Sequence, residues 1–147
     1  MPAQFLYLQN NGSPTRWDGT RYFQYLARIR TDLPADLQSL TDEARFDMPS
    51  NSPLSMWRST VSRIEAGADF ISISAANDYG TRQFEFQYSG VRKFQTTSGR
   101  LIHMPTIVVQ ELVALRGGVL RHTFSDMTGA FTTIHAQAMS FREHVVQ

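Results

Sequence analysis

The clearest structural signal in the chain is IVVQELVALRGGVLRHTFS at residues 107–125, where two apolar runs flank Gly117-Gly118. Glycine adopts positive φ readily, and a type I′ hairpin turn needs positive φ at both of its central residues. The stretch therefore predicts a β-hairpin centred on the two glycines. The first apolar run could instead form a short helix, because Val109, Leu112 and Val113 also fit the helical period.

A two-residue turn would also set the register of the strands. If Arg116 pairs with Val119, Glu111 and His122 point to the same face of the sheet, and the next turn brings His135 onto that face as well. A His beside a Glu can act as an oriented general base, so these three residues are the candidate catalytic group. The alternative is that His122 is a hydrogen-bonded core histidine with a neighbouring carboxylate.

In the sequence that precedes this hairpin, hydrophobic residues also recur with the period of a β-strand. From Trp57 onward apolar residues recur at every second position, most clearly in RQFEFQY at residues 82–88. Ser89-Gly90 then interrupts the alternation, as a β-bulge or a bend does. We expect an antiparallel meander of about six to seven strands.

The first part of the chain has a helical period instead. Tyr22, Tyr25, Leu26 and Ile29 lie at i, i+3, i+4 and i+7, which predicts an amphipathic helix with these residues facing the core. Asp18 precedes the stripe and is a good N-cap residue. We therefore expect the first helix to begin directly after Asp18.

A second short helix should follow, because Pro34 is tolerated at the start of a helix but not in its interior. Its core face would consist of Leu33, Leu37, Leu40 and Ala44. This pattern predicts a second helix that packs on the sheet.

These elements together predict an α+β fold with two short N-terminal helices packed on an antiparallel sheet. The chain of 147 residues has the size of one domain, which we expect to span residues 1–147. Residues 1–52 would be mainly helical and residues 53–147 would form the sheet. The short apolar run Phe5 to Leu8 is a candidate edge strand.

The composition excludes several functional classes. The chain contains 0 Cys, which rules out disulfides, thiolate zinc sites, iron-sulfur clusters and a thiol nucleophile. Its first residues lack the charged and long apolar regions of a signal peptide, and no apolar run approaches the ~20 residues that span a bilayer. We expect a cytoplasmic protein without membrane insertion.

The charged and histidine residues also limit the ligands that the protein could bind. A net charge of +1 does not favour nucleic acid binding. The charged residues are unevenly distributed, however: those within 32–47 are mostly acidic and those within 82–121 are mostly basic. The four histidines lack the spacing of metal ligands, and the chain contains no phosphate-binding glycine motif. The sequence thus predicts neither a metal site nor a cofactor.

The order of several motifs resembles that of immunity-type proteins, which are small bacterial cytosolic proteins paired with polymorphic toxins. The motifs are Tyr22-Phe23-Gln24-Tyr25-Leu26, Leu33-Pro34, Tyr88-Ser89-Gly90-Val91 and the run from Glu111 to Asp126. The Leu-His-Asp stretch of such proteins corresponds here to Leu54-Ser55-Met56-Trp57, which lacks both polar residues. The resemblance implies a non-enzymatic protein that neutralises a cognate toxin by occluding it.

Binding by occlusion would depend on a few anchor residues. Aromatic and Arg side chains dominate protein-protein hot spots, and the chain offers Phe23, Trp57, Arg92, Lys93 and Arg121 as candidate contacts with a protein partner. The protein itself is expected to be a monomer or a small homo-oligomer. Two other functions fit the same sequence: a small enzyme that uses His122 with Glu111, and a self-assembling structural subunit that pairs through an exposed sheet edge.

Overall fold

The computed structural model describes residues 5–13, 16–46, 54–77, 80–97, 106–107, 109–126 and 130–146. Its main element is a seven-stranded antiparallel sheet, and a two-stranded hairpin and two short helices precede this sheet in the chain. The α+β class, the two N-terminal helices and the antiparallel sheet predicted from the sequence are confirmed. The boundary predicted near residue 52 lies outside the described residues.

The N-terminal part begins with strands β1 (Gln9–Ser13) and β2 (Arg16–Asp18), which pair with each other. Helix α1 (Thr20–Ile29) and helix α2 (Ala35–Gln38) follow. Short 3-10 turns lie at residues 30–32, 39–41 and 43–46. Helix α2 is therefore a single turn, and the 3-10 turn at residues 39–41 follows it directly.

The seven-stranded sheet contains every later strand of the described residues. Its strands are β3 (Ser59–Ala66), β4 (Phe70–Ala76), β5 (Arg82–Thr96), β6 (Thr106–Ile107), β7 (Val109–Ala114), β8 (Leu120–Ser125) and β9 (Phe131–Val145). Their spatial order is β6-β3-β4-β5-β9-β8-β7. Strand β9 thus lies between β5 and β8, and β7 forms one edge of the sheet.

The sheet buries side chains on both faces. We call the inner face the one that carries Ile73, Phe86, Phe124 and Ile134, all 0% exposed, which pack with Leu37 of α2 in the main core. We call the outer face the opposite one. On the outer face, two residues of β7 pack with residues of α1 and with Phe5 and Leu8 in a second cluster. We call it the N-terminal cluster, and its buried members are Phe5, Leu8, Tyr22, Tyr25, Leu26, Val109 and Val113.

Helix α1 packs as its period predicts. Tyr22, Tyr25 and Leu26 are buried and Ile29 is half-buried, so the core stripe is confirmed. The N-cap position is Gly19, one residue after the predicted Asp18. The Asp18 carboxylate still accepts a hydrogen bond from the Thr20 amide at 2.9 Å, so it satisfies an amide of the first turn from one position earlier.

The prediction of an edge strand at Phe5 to Leu8 is wrong. Phe5 and Leu8 are buried in the N-terminal cluster, and the amides of residues 6–8 donate to the side chain of Glu111 and not to a neighbouring strand. The first strand begins at Gln9. An apolar run does not distinguish a paired strand from an irregular segment that is held in place by a side chain.

The hairpin at Gly117-Gly118 exists, and its first element is a strand rather than a helix. Both glycines have positive φ, 76° and 77°, as predicted. The loop nevertheless contains three residues, because the Leu115 amide donates to the Val119 carbonyl at 2.7 Å. The third loop residue, Arg116, shifts the register by one position from the two-residue turn.

This register shift corrects the predicted face of His122. Leu112 pairs with His122, and Glu111 pairs with Thr123. Neighbouring residues of a strand point to opposite faces, so His122 lies on the inner face and Glu111 on the outer face. His135 pairs with Arg121 and lies on the outer face.

Candidate binding face

Glu111 is a carboxylate with no exposed surface, in the middle of edge strand β7. It accepts three hydrogen bonds from consecutive amides, those of Leu6 at 2.9 Å, Tyr7 at 2.8 Å and Leu8 at 2.9 Å. Arg121 on the adjacent strand lies 3.3 Å from its Oε1. A buried carboxylate needs such partners, because desolvation without them would cost several kcal/mol.

The electrostatics of Arg121 reflect the same pairing. Its side chain is only 12% exposed. Burial lowers the pKa of the Arg121 guanidinium, and the Glu111 carboxylate opposes that shift by stabilising the charged form. Glu111 and Arg121 therefore form a partly buried ion pair, and Glu111 holds residues 6–8 on the outer face.

His122 lies in a different environment, inside the main core. The Tyr88 hydroxyl is 2.7 Å from His122 Nδ1, and the Gln110 carbonyl oxygen is 2.6 Å from His122 Nε2. Gln110 in turn donates through Nε2 to the sulfur of Met56 at 2.7 Å. In the arrangement that satisfies every group, Tyr88 donates to Nδ1 and Nε2–H donates to Gln110.

The imidazole of His122 is held neutral. Burial lowers the pKa of His122 to about 3. Its ring lies 4.2 Å from that of Phe124 and 5.0 Å from that of Phe86, centroid to centroid, and the residue is 1% exposed. A substrate cannot reach this side chain, so His122 matches the hydrogen-bonded core histidine considered from the sequence.

The prediction that His122, Glu111 and His135 share one face is therefore wrong. The inner-face position of His122 separates it from the other two by the thickness of the sheet. An oriented His-Glu general base does not form between His122 and Glu111.

The outer face instead assembles three basic side chains in one row. His135 of β9 pairs with Lys93 of β5 on one side and with Arg121 of β8 on the other. Directly opposed side chains on antiparallel strands have Cβ atoms roughly 4.5–5.5 Å apart. We call Lys93, His135 and Arg121 the cationic row.

The row alters the titration of its central residue. Burial lowers the pKa of His135, and the positive charges of Lys93 and Arg121 lower it further. Lys93 is exposed and His135 is half-buried. The exposed end of the row therefore offers positive charge to a partner, and an anion that bound there would favour protonation of His135.

A β-bulge places a fourth basic side chain beside the row. The pairing of β5 with β9 shifts between Val91 and Lys93, so Arg92 is an extra residue on the β5 side and is exposed. Gly90, where the sequence predicts a bulge or a bend, has φ at 60°, but the register continues from Ser89 to Val91 and shifts only after Val91. The structure thus brings together three of the candidate contact residues, Arg92, Lys93 and Arg121.

The other two candidate contacts, Phe23 and Trp57, are not part of the row. Phe23 is half-buried, with its ring over Gly19 and 5.4 Å from the Phe46 ring. Trp57 is half-buried against the N-terminal cluster, with the Arg58 guanidinium 5.4 Å from its ring centroid. Both aromatic residues contribute mainly to packing.

Sequence reasoning missed two buried polar residues, Gln110 and Arg45. Gln110 is 4% exposed and joins His122 to Met56, while Arg45 is 3% exposed and pairs with Glu143. The signal for Gln110 was present in the run VVQELV, because two adjacent polar residues in a buried strand need partners on opposite faces. Arg45 had no local signal, since its partner lies in the last strand.

No three His, Cys, Asp or Glu side chains of the described residues cluster closely enough to hold a metal ion. No helix in the described part of the chain is long and apolar enough to cross a membrane. No protein-family model, curated protein or solved structure matches the chain.

Proposed function

We propose that the protein is a non-enzymatic protein-binding module that uses the cationic row to dock an acidic surface of its partner. The observation that carries the proposal is the alignment of Lys93, His135 and Arg121 across three adjacent strands. The resemblance to immunity-type proteins suggests that the partner is a bacterial toxin domain, which binding would occlude in the cytoplasm.

Folding stability gives no reason for this alignment. Lys93 and Arg121 both oppose His135, and their charges lower the pKa of its imidazole, so the fold disfavours a further positive charge at this position. Glu111 offsets the charge of Arg121, but neither Lys93 nor Arg92 forms an ion pair with a described residue. A partner that supplies carboxylates would pair with Lys93 and Arg92 and would favour protonation of His135, and these gains are available only in the complex.

The low net charge supports a local rather than a general attraction. The chain carries +1 overall, so an acidic partner would be oriented by the row and not attracted by the whole molecule. Arg92 adds a side chain able to form bidentate contacts with a carboxylate. The surface fits an acidic protein better than the basic nucleic-acid cleft of a nuclease.

The test is an affinity capture from lysate of the source cells that compares the wild type with the double variant R92E/K93E. Both replaced side chains are exposed, so the fold should be retained. We expect the wild type to retain one stoichiometric protein through a low-salt wash and to lose it in high salt. The double variant should bind that protein at least tenfold more weakly in a purified binding assay.

The matched control is R63E, which makes the same type of charge change on β3. Arg63 is 70% exposed and lies away from the row, next to its ion-pair partner Glu65. It should bind the partner as the wild type does. Capture of no stoichiometric protein, or equal weakening by the double variant and by R63E, would contradict docking through the row.

A further inference from the structure

We infer that the outer face of β7 and β8 is a peptide-binding groove that the chain fills with its own residues 5–8. The ligand class is a peptide segment with an aromatic residue followed three positions later by an aliphatic one. Three features support the inference: recognition of the main chain by Glu111, two apolar anchor sites, and an ion pair that remains when the segment leaves.

The first feature is recognition of the main chain by a side chain. Both carboxylate oxygens of Glu111 are used, Oε1 by the Leu6 amide and Oε2 by the amides of Tyr7 and Leu8. Successive amides that point at one anion form a concave binding arrangement that does not depend on side-chain identity. Any segment that adopts the same bend can offer the same three donors.

The second feature is the spacing of the anchors. Phe5 is 5% exposed, with its ring 4.9 Å from the Trp17 ring and 5.1 Å from the Phe131 ring, and Leu8 is 6% exposed. Between them, Leu6 is 53% exposed. The third residue, Tyr7, is half-buried and stacks on Tyr25 with 4.2 Å between ring centroids. The groove therefore buries the first and fourth side chains of the segment, contacts the third and leaves the second in water.

The third feature is what remains if the segment leaves. Glu111 keeps its ion pair with Arg121, and water can replace the three amides. The segment contributes no strand to either sheet, so its departure breaks no strand pairing. The groove can therefore open and exchange its ligand without unfolding of the sheet.

The test uses a soluble peptide with the sequence of residues 4–9, Gln-Phe-Leu-Tyr-Leu-Gln. In the full-length wild type the tethered segment competes at a high effective concentration. The double variant F5A/L8A removes the anchors of the tethered segment, so we expect it to bind the peptide at least tenfold more tightly than the wild type. The variant V145A truncates an exposed apolar side chain at the end of β9, outside the groove, and should behave as the wild type does.

Two modified peptides show whether the groove recognises the anchor side chains and the amide hydrogens of its ligand. Alanine at both anchor positions should abolish binding, and N-methylation of the amides equivalent to Tyr7 and Leu8 should weaken it at least tenfold. Failure of the folded F5A/L8A protein to bind the unmodified peptide would overturn the inference. Equal binding of the N-methylated peptide would overturn the role of Glu111.

A second measurement does not depend on the folding of that variant. In the wild type, added peptide should displace the tethered segment and accelerate hydrogen exchange at the Tyr7 and Leu8 amides in proportion to its concentration. The alanine peptide is the control and should have no effect. Unchanged exchange with both peptides would contradict the inference. Neither assay includes the acidic partner, so the groove can fail while docking through the cationic row holds, and the reverse.

Discussion

The Glu111 carboxylate has no exposed surface; it accepts three hydrogen bonds from backbone amides and forms one ion pair. Replacement by Gln leaves Arg121 as a largely buried charge and turns one acceptor into a donor. We expect E111Q to lower the free energy of unfolding by roughly 3 kcal/mol. Urea denaturation measures this loss. The exposed ion-pair residue Glu65 supplies the control, because E65Q should cost about 0.5 kcal/mol or less.

The neutral imidazole of His122 makes stability depend on pH. Its pKa is about 3 in the folded protein and near 6.5 when unfolded, so protonation favours the unfolded state. The stabilisation is complete above pH 6.5 and is lost as the pH falls towards 3. Between pH 6.5 and 4.5 the wild type should lose roughly 2 kcal/mol more than H122Q does.

Urea titrations at a series of pH values measure that difference. The control is H144Q, which makes the same chemical change on an exposed part of β9 and removes no buried imidazole. If H122Q and the wild type show parallel curves between pH 6.5 and 4.5, the buried neutral His122 is contradicted.

At the scale of elements, helix α1 covers the edge strand β7 with its tyrosines. The Tyr22 hydroxyl accepts the Leu112 amide at 2.6 Å and donates to the Leu112 carbonyl, while the Tyr25 hydroxyl accepts the Ala114 amide at 2.7 Å. These bonds replace part of a missing neighbouring strand. The helix therefore protects an edge that would otherwise be open to pairing with another chain.

The contribution of these hydroxyls can be measured with Phe variants. We expect Y22F to cost about 1–3 kcal/mol, since it leaves the amide of buried Leu112 without its acceptor. Y25F should cost less, because Ala114 is exposed and water can take the place of the Tyr25 hydroxyl. Thermal unfolding of the two variants gives the ranking, and an equal loss would contradict this account of the edge.

The elements were more predictable from the sequence than their register. The stripe of α1 and the alternation of β5 follow from local periods, which depend on near neighbours in the chain. The loop at Gly117-Gly118 also showed its positive φ angles, but nothing local reveals whether Arg116 belongs to the loop or to the strand. That one residue moved Glu111 and His122 to opposite faces, so the candidate catalytic group was wrong.

The candidate binding face was predictable only as a set of residue types. Arg92, Lys93 and Arg121 were expected contacts because of their side chains, whereas their convergence on His135 depends on the pairing of β5, β9 and β8. The link between Glu111 and residues 6–8 could not be predicted either. It joins positions more than 100 residues apart through amides, which carry no sequence signal.

At the scale of the whole molecule, Arg45 joins the helical part to the sheet. Its guanidinium pairs with Glu143 of β9, donates to the carbonyls of Ser39 and Leu54, and lies 5.3 Å from the Phe141 ring centroid. Arg82 binds the same Glu143 carboxylate at 3.2 Å. We therefore expect the two parts to unfold together.

We expect R45A to cost about 3–5 kcal/mol and to separate the unfolding of the two parts. Tryptophan fluorescence follows the N-terminal cluster through Trp17 and Trp57, and far-ultraviolet circular dichroism follows the sheet. The two transitions should coincide in urea for the wild type and differ for R45A. Coincident transitions in R45A would show that Arg45 does not couple the parts.

The place of β9 between β5 and β8 has a consequence for synthesis on the ribosome. Strand β5 emerges first, and its 15 residues must wait for β9 before one of its edges is paired. At roughly 5–20 residues per second, translation of residues 97–130 takes about 2–7 seconds. The nascent chain exposes a long unpaired edge throughout that interval, so chaperone supply and codon usage in this stretch should affect the yield of folded protein.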